Sequence, residues 1–179
     1  NHKTNRGPSD FDVSQRLVVS GVWEMPQFSN LPRAARAVLG GWQSNVIFSA
    51  QTGVPLTIRS GVDTNVDGIG GDFADYNGGE WRMPSGRSKE EQIKKWFNTS
   101  VFSIPQTGFQ GTGRRGQLRA PGDYNVDYSL FKNIQLRERA RLQLRGEFFN
   151  FLNHANLGSP NTSVNSTAFG EISSTNGGP

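Results

Sequence analysis

Cysteine is absent from the 179 residues, so no disulfide framework, thiolate zinc cluster or thiol nucleophile enters the reading. No run of about 18 or more apolar residues occurs either, which excludes a transmembrane helix and leaves a transmembrane strand open. Apolar residues make up only 34% of the chain, and mean hydropathy is -0.57. The only histidines, His2 and His154, have no acidic or serine partner at a recognisable spacing, so no histidine-based catalytic pair is indicated and the chain reads as non-enzymatic. The net charge of +4 comes from arginines set beside acidic residues rather than in one run, a pattern that argues against nucleic acid as a partner. The opening NHKTNRGPSD has neither an initiator Met nor the apolar stretch of a signal peptide, so the chain reads as a mature piece or an excised fragment.

What is there is glycine, 22 residues of it, with many Asn, Ser and Thr and several segments of strict alternation. This is the composition of an all-β chain. In RARLQLRGEFFNFLNH, Arg139, Arg141, Gln143, Arg145 and Glu147 fall on one parity and Ala140, Leu142, Leu144, Gly146 and Phe148 on the other. A period of two means an extended strand with one charged and one apolar face. Strands are expected at about 11–25, 42–58, 125–136 and 139–151, with Gly53 and Pro55 marking a bulge or the end of regular pairing in the second. The last two are separated by Arg137 to Arg139 alone, which predicts an antiparallel hairpin. Pro32 is placed to start a helical turn between the first two strands.

The insertion at 59–122 is too long for a loop inside a compact soluble domain. It contains DTNVDG, a helix at SKEEQIKKWFN with capping-box spacing between Ser88 and Glu91, and a Gly/Arg-rich run. A membrane barrel accommodates such a loop, because outer-membrane barrels have short turns at one rim and long loops at the other. Each predicted strand also reaches the ~9–11 residues a tilted strand needs to cross a bilayer. Phe11, Trp23, Trp42, Tyr124, Phe149 and Phe151 lie near strand ends, where interfacial girdles sit. The expected architecture is therefore an all-β antiparallel meander over residues 1–179, part of a transmembrane barrel. A soluble extracellular β-sandwich binding module with a calcium loop is the alternative, since the alternation alone reads the same in both.

The succession LGGWQSNVIFSAQTGVPLTI, DTNVDG, KKWFNTSVFSIP, GQLRAPGDYNVDYSLFKNIQL, LRGEFFNFLNHANLGSP and FGEI resembles the C-terminal barrel region of TonB-dependent outer-membrane receptors. The resemblance is to the Oar-like, acidobacterial type, whose members carry a carboxypeptidase-regulatory-like domain upstream. It implies about four strands of a barrel of roughly 22, in the bacterial outer membrane, amid lipid and lipopolysaccharide. It implies a terminal strand after FGEISSTNGGP, and far upstream a plug through which the TonB complex would act. The cargo class implied is a small molecule, glycan or peptide, taken up with energy input or, in Oar-like members, linked to surface export. The turn at Arg137 to Arg139 would be periplasmic and the 59–122 insertion extracellular.

Asp63, Asn65, Asp67 and Gly68 match the first half of a DxNxDG calcium loop, and Asp72 is close enough to join an irregular site. Ala74 stands where that motif has Glu, and an Asx/Gly-rich surface turn explains the same residues. No cofactor other than this possible calcium is expected. In GTGRRG, Gly111, Gly113 and Gly116 spell GxGxxG without a preceding strand or following apolar helix, which argues against a dinucleotide fold. Arg114 and Arg115 instead suit a loop facing an anionic ligand or lipopolysaccharide, and a plain solvated loop explains the same residues. Arg141, Arg145 and Glu147 are expected to face the wet lumen as a structural ladder, with Asp127 a pairing candidate for one of the arginines, and Leu142, Leu144 and Phe148 to face lipid.

Overall fold

The computed structural model describes residues 6–137 and 140–177. The described chain is mostly β, with antiparallel pairing and two short α-helices. It divides into two compact units.

One unit, Gln15–Gln51 with Tyr124–His154, holds the long strands: β1 (Arg16–Glu24), β2 (Trp42–Gln51), β7 (Asp123–Arg137) and β8 (Ala140–Phe148). They form a four-stranded sheet in the order β1-β2-β7-β8, which does not close into a barrel. Between β1 and β2, α1 (Arg33–Leu39) follows Pro32, which sits at the N-cap without a side-chain cap, one residue ahead of the first helical position that proline's fixed φ and missing N–H favour. The first strand begins at Arg16 rather than at residue 11, and Asp12 explains the difference. Its N–H donates to the Ser9 carbonyl and its carboxylate is held by Arg119, so the chain there forms a turn and not a ladder. The second ends at Gln51 rather than 58, because Gly53 packs flush on the main chain at Ala120, where a Cβ would meet the Ala120 carbonyl oxygen at 1.9 Å. Pro55 and Leu56 then pair with a different partner.

Register matches the two faces in the main, with exceptions such as Val18 opposite Ser49, Val22 opposite Asn45 and Phe131 opposite Arg145. Leu17, Val19 and Trp23 oppose Ala50, Phe48 and Ser44, while Arg16, Ser20 and Glu24 oppose Gln51, Ile47 and Gln43. Across the other pair, Tyr128, Leu130 and Ile134 oppose Phe148, Gly146 and Leu142, and Ser129, Asn133 and Gln135 oppose Glu147, Gln143 and Arg141. Directly opposed residues share a face, so the apolar parities of paired strands coincide. Arg137 pairs with Ala140 after an irregularity beyond Gln135, which makes β7 and β8 a hairpin; Glu138 and Arg139 of the expected turn lie outside the described residues, as does His2.

The other unit gathers residues 6–14, Thr52–Asp123 and Ala155–Gly177. Three two-stranded ladders stitch it: β3 (Pro55–Leu56) with β6 (Leu118–Arg119), β4 (Asp75–Tyr76) with β5 (Phe102–Ser103), and β9 (Asn156–Leu157) with β10 (Thr175–Asn176). Leu56, Ile58, Ala74, Phe97, Val101, Phe102, Leu118 and Ala120 form its core. Phe97 lies edge-on to both Phe102 and Phe169 at centroid distances of 6.0 and 5.3 Å, the geometry the ring quadrupole favours. The helix α2 (Lys89–Lys94) starts on the expected capping box: the Glu91 N–H donates to Ser88 Oγ at 3.2 Å, and the Ser88 N–H donates to the Glu91 carboxylate at 2.8 Å. That amide, with the Ser88 hydroxyl and the Arg87 charge, lowers the Glu91 pKa.

Candidate functional site

The DTNVDG turn is built by its own side chains. Asp63 Oδ1 accepts from the N–H groups of Val66 and Asp67 at 2.8 and 3.2 Å, and its Oδ2 accepts from Gly68 at 2.9 Å. Asn65 Oδ1 takes the Asp67 N–H at 3.0 Å, and Asp67 Oδ1 the Ile69 N–H at 2.8 Å. Asp72 Oδ2 accepts from the Asn65 and Thr64 amides at 3.0 and 2.7 Å and from the Thr64 hydroxyl at 3.0 Å. The Asn65 amide is the leading cause that lowers the Asp72 pKa, with Thr64 and the Arg59 charge adding to it against a desolvation cost. Stacked Asx turns of this kind let Val66 hold a φ of 62°, which a β-branched residue rarely adopts. Among the described residues no group of three or more Asp, Glu, His or Cys is placed to hold a metal ion.

The Gly/Arg run has a packing explanation. A Cβ on Gly111 would sit 2.0 Å from the Phe73 carbonyl oxygen, and one on Gly113 would sit 2.7 Å from that of Ala74. The Gly113 N–H donates to that same Ala74 carbonyl at 2.9 Å. The glycines therefore let one loop lie against the backbone beside β4, with no phosphate cradle needed. Arg115 pairs with Asp10 at 3.1 Å, and Arg114 is exposed.

On the sheet, Gln143 Nε2 donates to Asn133 Oδ1 across the β7–β8 pair at 2.9 Å. Arg145 donates to Glu147 on its own strand and stands 5.0 Å from the centre of the Phe131 ring. Arg141 is exposed opposite Gln135. Among the described residues Asp127 takes no arginine. It accepts instead from Asn125 Nδ2 and from the Asn150 N–H at 2.8 and 2.9 Å, because Asn150, at a φ of 48°, turns its amide back as the chain leaves β8. Asn150 and His154 lock that turn reciprocally at 2.9 Å, and the His154 ring stacks on Tyr124 at 3.8 Å.

Lys132 is a residue the alternation did not single out. It breaks the apolar parity of β7, and it is 5% exposed. Its Nζ donates to the Val38 carbonyl at 3.1 Å and to that of Gly40, and lies 5.1 Å from the Trp42 ring centre. The C-terminal end of α1 thus receives a cation that suits its exposed carbonyls and dipole. The one sequence signal was that lone charge inside an apolar run.

In the sheet unit no apolar side chain is buried among the described residues. Long strands with no apolar side chain buried among the described residues suit a membrane rather than the packed core of a water-facing sandwich. Among the described residues no helix is long and apolar enough to cross a membrane. The outer membrane beta barrel domain family matches residues 1–179, and the chain belongs to it. The protein is accordingly one of the bacterial outer membrane. No curated protein and no solved structure matches the chain.

Proposed function

We propose that the chain is part of the barrel of a TonB-dependent outer-membrane receptor of the Oar-like type, in which β1, β2, β7 and β8 are four of roughly 22 strands. The barrel carries a small molecule, glycan or peptide across the outer membrane with energy from the TonB complex, and it performs no covalent chemistry. The observation that carries this reading is the register. Leu17, Val19, Leu142 and Phe148 lie on faces whose cross-strand partners include Ala50, Phe48, Ile134 and Tyr128, as a lipid-facing surface requires. Arg141, Arg145 and Glu147 then face the lumen, the β7–β8 turn lies at the periplasmic rim, and the 59–122 insertion is extracellular, amid lipopolysaccharide.

The test is in vivo cross-linking of the full-length receptor to TonB, with the outer membrane fractionated in parallel. Cross-linked adducts that need an intact N-terminal plug are expected. An outer-membrane protein that yields no adduct with TonB under any growth condition would overturn the transporter reading and leave the barrel assignment standing.

A further inference from the structure

A cavity of about 550 Å³ opens within the loop unit, within the range of pockets that take small organic ligands. Trp81, Trp96 and Leu118 give it apolar walls, and Arg82, Arg87 and Arg119 line it as well. No acidic side chain lines it among the described residues.

The three arginines are not equivalent. Arg119 is spoken for: its Nη2 donates to the Asp12 carboxylate at 2.6 Å and its Nη1 to the Gly53 carbonyl at 2.9 Å. Arg82 lies over the Trp81 ring at 4.3 Å, its side chain 69% exposed and 3.8 Å from Glu80. Arg87 spends both terminal nitrogens on main-chain carbonyls of Glu91, Lys95 and Trp96, which fixes the guanidinium. Its Nε is buried and has no hydrogen-bond partner. A guanidinium held in place by three carbonyls, beside a second, exposed arginine and two indole rings, gives the cavity a cationic and aromatic wall suited to a ring that carries negative charge.

We infer that this cavity binds a small ring compound bearing a carboxylate, the ring lying among Trp81 and Trp96 and the carboxylate taken by Arg82, with the fixed charge of Arg87 beside it. Indole walls accept a sugar ring or an aromatic ring alike, so the shared chemistry is the carboxylate on a six-membered ring. The inference deepens the receptor reading by naming the ligand class its extracellular loop would meet. Its test needs neither TonB nor transport.

Isothermal titration calorimetry of the detergent-solubilised full-length receptor against glucuronate and benzoate, with glucose and benzyl alcohol as the neutral counterparts, decides it. Saturable binding of one acid at least about 10-fold tighter than its neutral counterpart is expected, and which acid binds tells the sugar source from the aromatic one. Arg82→Gln, whose side chain is exposed and holds up no core, should weaken that acid several-fold. Trp81→Ala should abolish binding, and Trp81→Phe, which keeps a ring packed against the loop unit's core, should retain most of it. Failure of both acids to bind, equal binding of acid and neutral probe, or undiminished binding by Trp81→Ala would overturn the site and leave TonB cross-linking, and with it the receptor reading, untouched.

Discussion

Phe97 is 1% exposed and Val19 is 52% exposed, although both are apolar and both sit in ordered structure. Phe97 belongs to a unit that folds its apolar residues inward around three short ladders. Val19 belongs to a sheet in which no apolar side chain is buried among the described residues. The first arrangement is what water demands, since burial there removes apolar area from solvent at roughly 25 cal/mol per Å². The second is stable only when another apolar phase covers the face, and in an outer-membrane protein that phase is lipid. One chain therefore obeys two solvents, and the sign of the pattern tells which region meets which.

The sharpest way to break the comparison is at Phe97. Phe97→Ala should destabilise the loop unit by about 3–5 kcal/mol, as for other buried aromatics, while the long strands persist. Trp81 and Trp96 report on the loop unit and Trp23 and Trp42 on the sheet, so denaturant unfolding followed by fluorescence of variants retaining one pair at a time separates the two. A simultaneous loss of both signals at the same denaturant concentration would mean the units are not independent.

A smaller effect is expected on the sheet. Val19→Arg puts a charge at the middle of a lipid-facing strand and should cost about 2–4 kcal/mol, whereas Ser20→Arg, one residue on and on the opposite face, should cost little. The measurement is the folded fraction after refolding the full-length barrel into lipid vesicles, read from heat-modifiable gel mobility. Equal effects of the two substitutions would mean that neither face meets lipid.

The smallest effect lies in the DTNVDG turn. The pKa of Asp72 is lowered from 3.8 in the folded turn, so its stabilisation is fully present above the unfolded-state value and is lost as pH falls through the folded one. The loop unit should thus lose stability on acidification in that range, and Asp72→Asn should flatten the dependence. Thermal melts of the two proteins from pH 5 to pH 2.5 check this, and an unchanged slope in the variant would assign the acid sensitivity elsewhere.

Much of this was legible in advance, and for local reasons. The capping box at Ser88, the hairpin between β7 and β8 and the period-two faces depend on residues near one another in the chain, and propensity and alternation report such contacts directly. Some of the residues that carry the family resemblance help to close the loop unit. The Trp96 N–H donates to the Gly170 carbonyl at 2.8 Å, Asn98 Oδ1 caps the short 3-10 helix at Ser100, and Phe169 of FGEI packs on Phe97. What could not be read were the long-range choices. Asp127 turned to Asn150 instead of an arginine, Arg115 reached Asp10 across most of the chain, and Gly111 answered to the backbone at Phe73.

By itself the sequence determined strand periodicity, helix starts and turn chemistry, because these are written in neighbouring residues and need no partner to be expressed. It left open which apolar face would be covered and by what. That was decided by tertiary structure, which drew residues 6–14 and Ala155–Gly177 in with Thr52–Asp123 to make a water-stable unit with its own core, and left the four long strands without one. The physical reason is that alternation records only the difference between two faces. Which face is the inside depends on what packs against it, and that is a property of the whole fold.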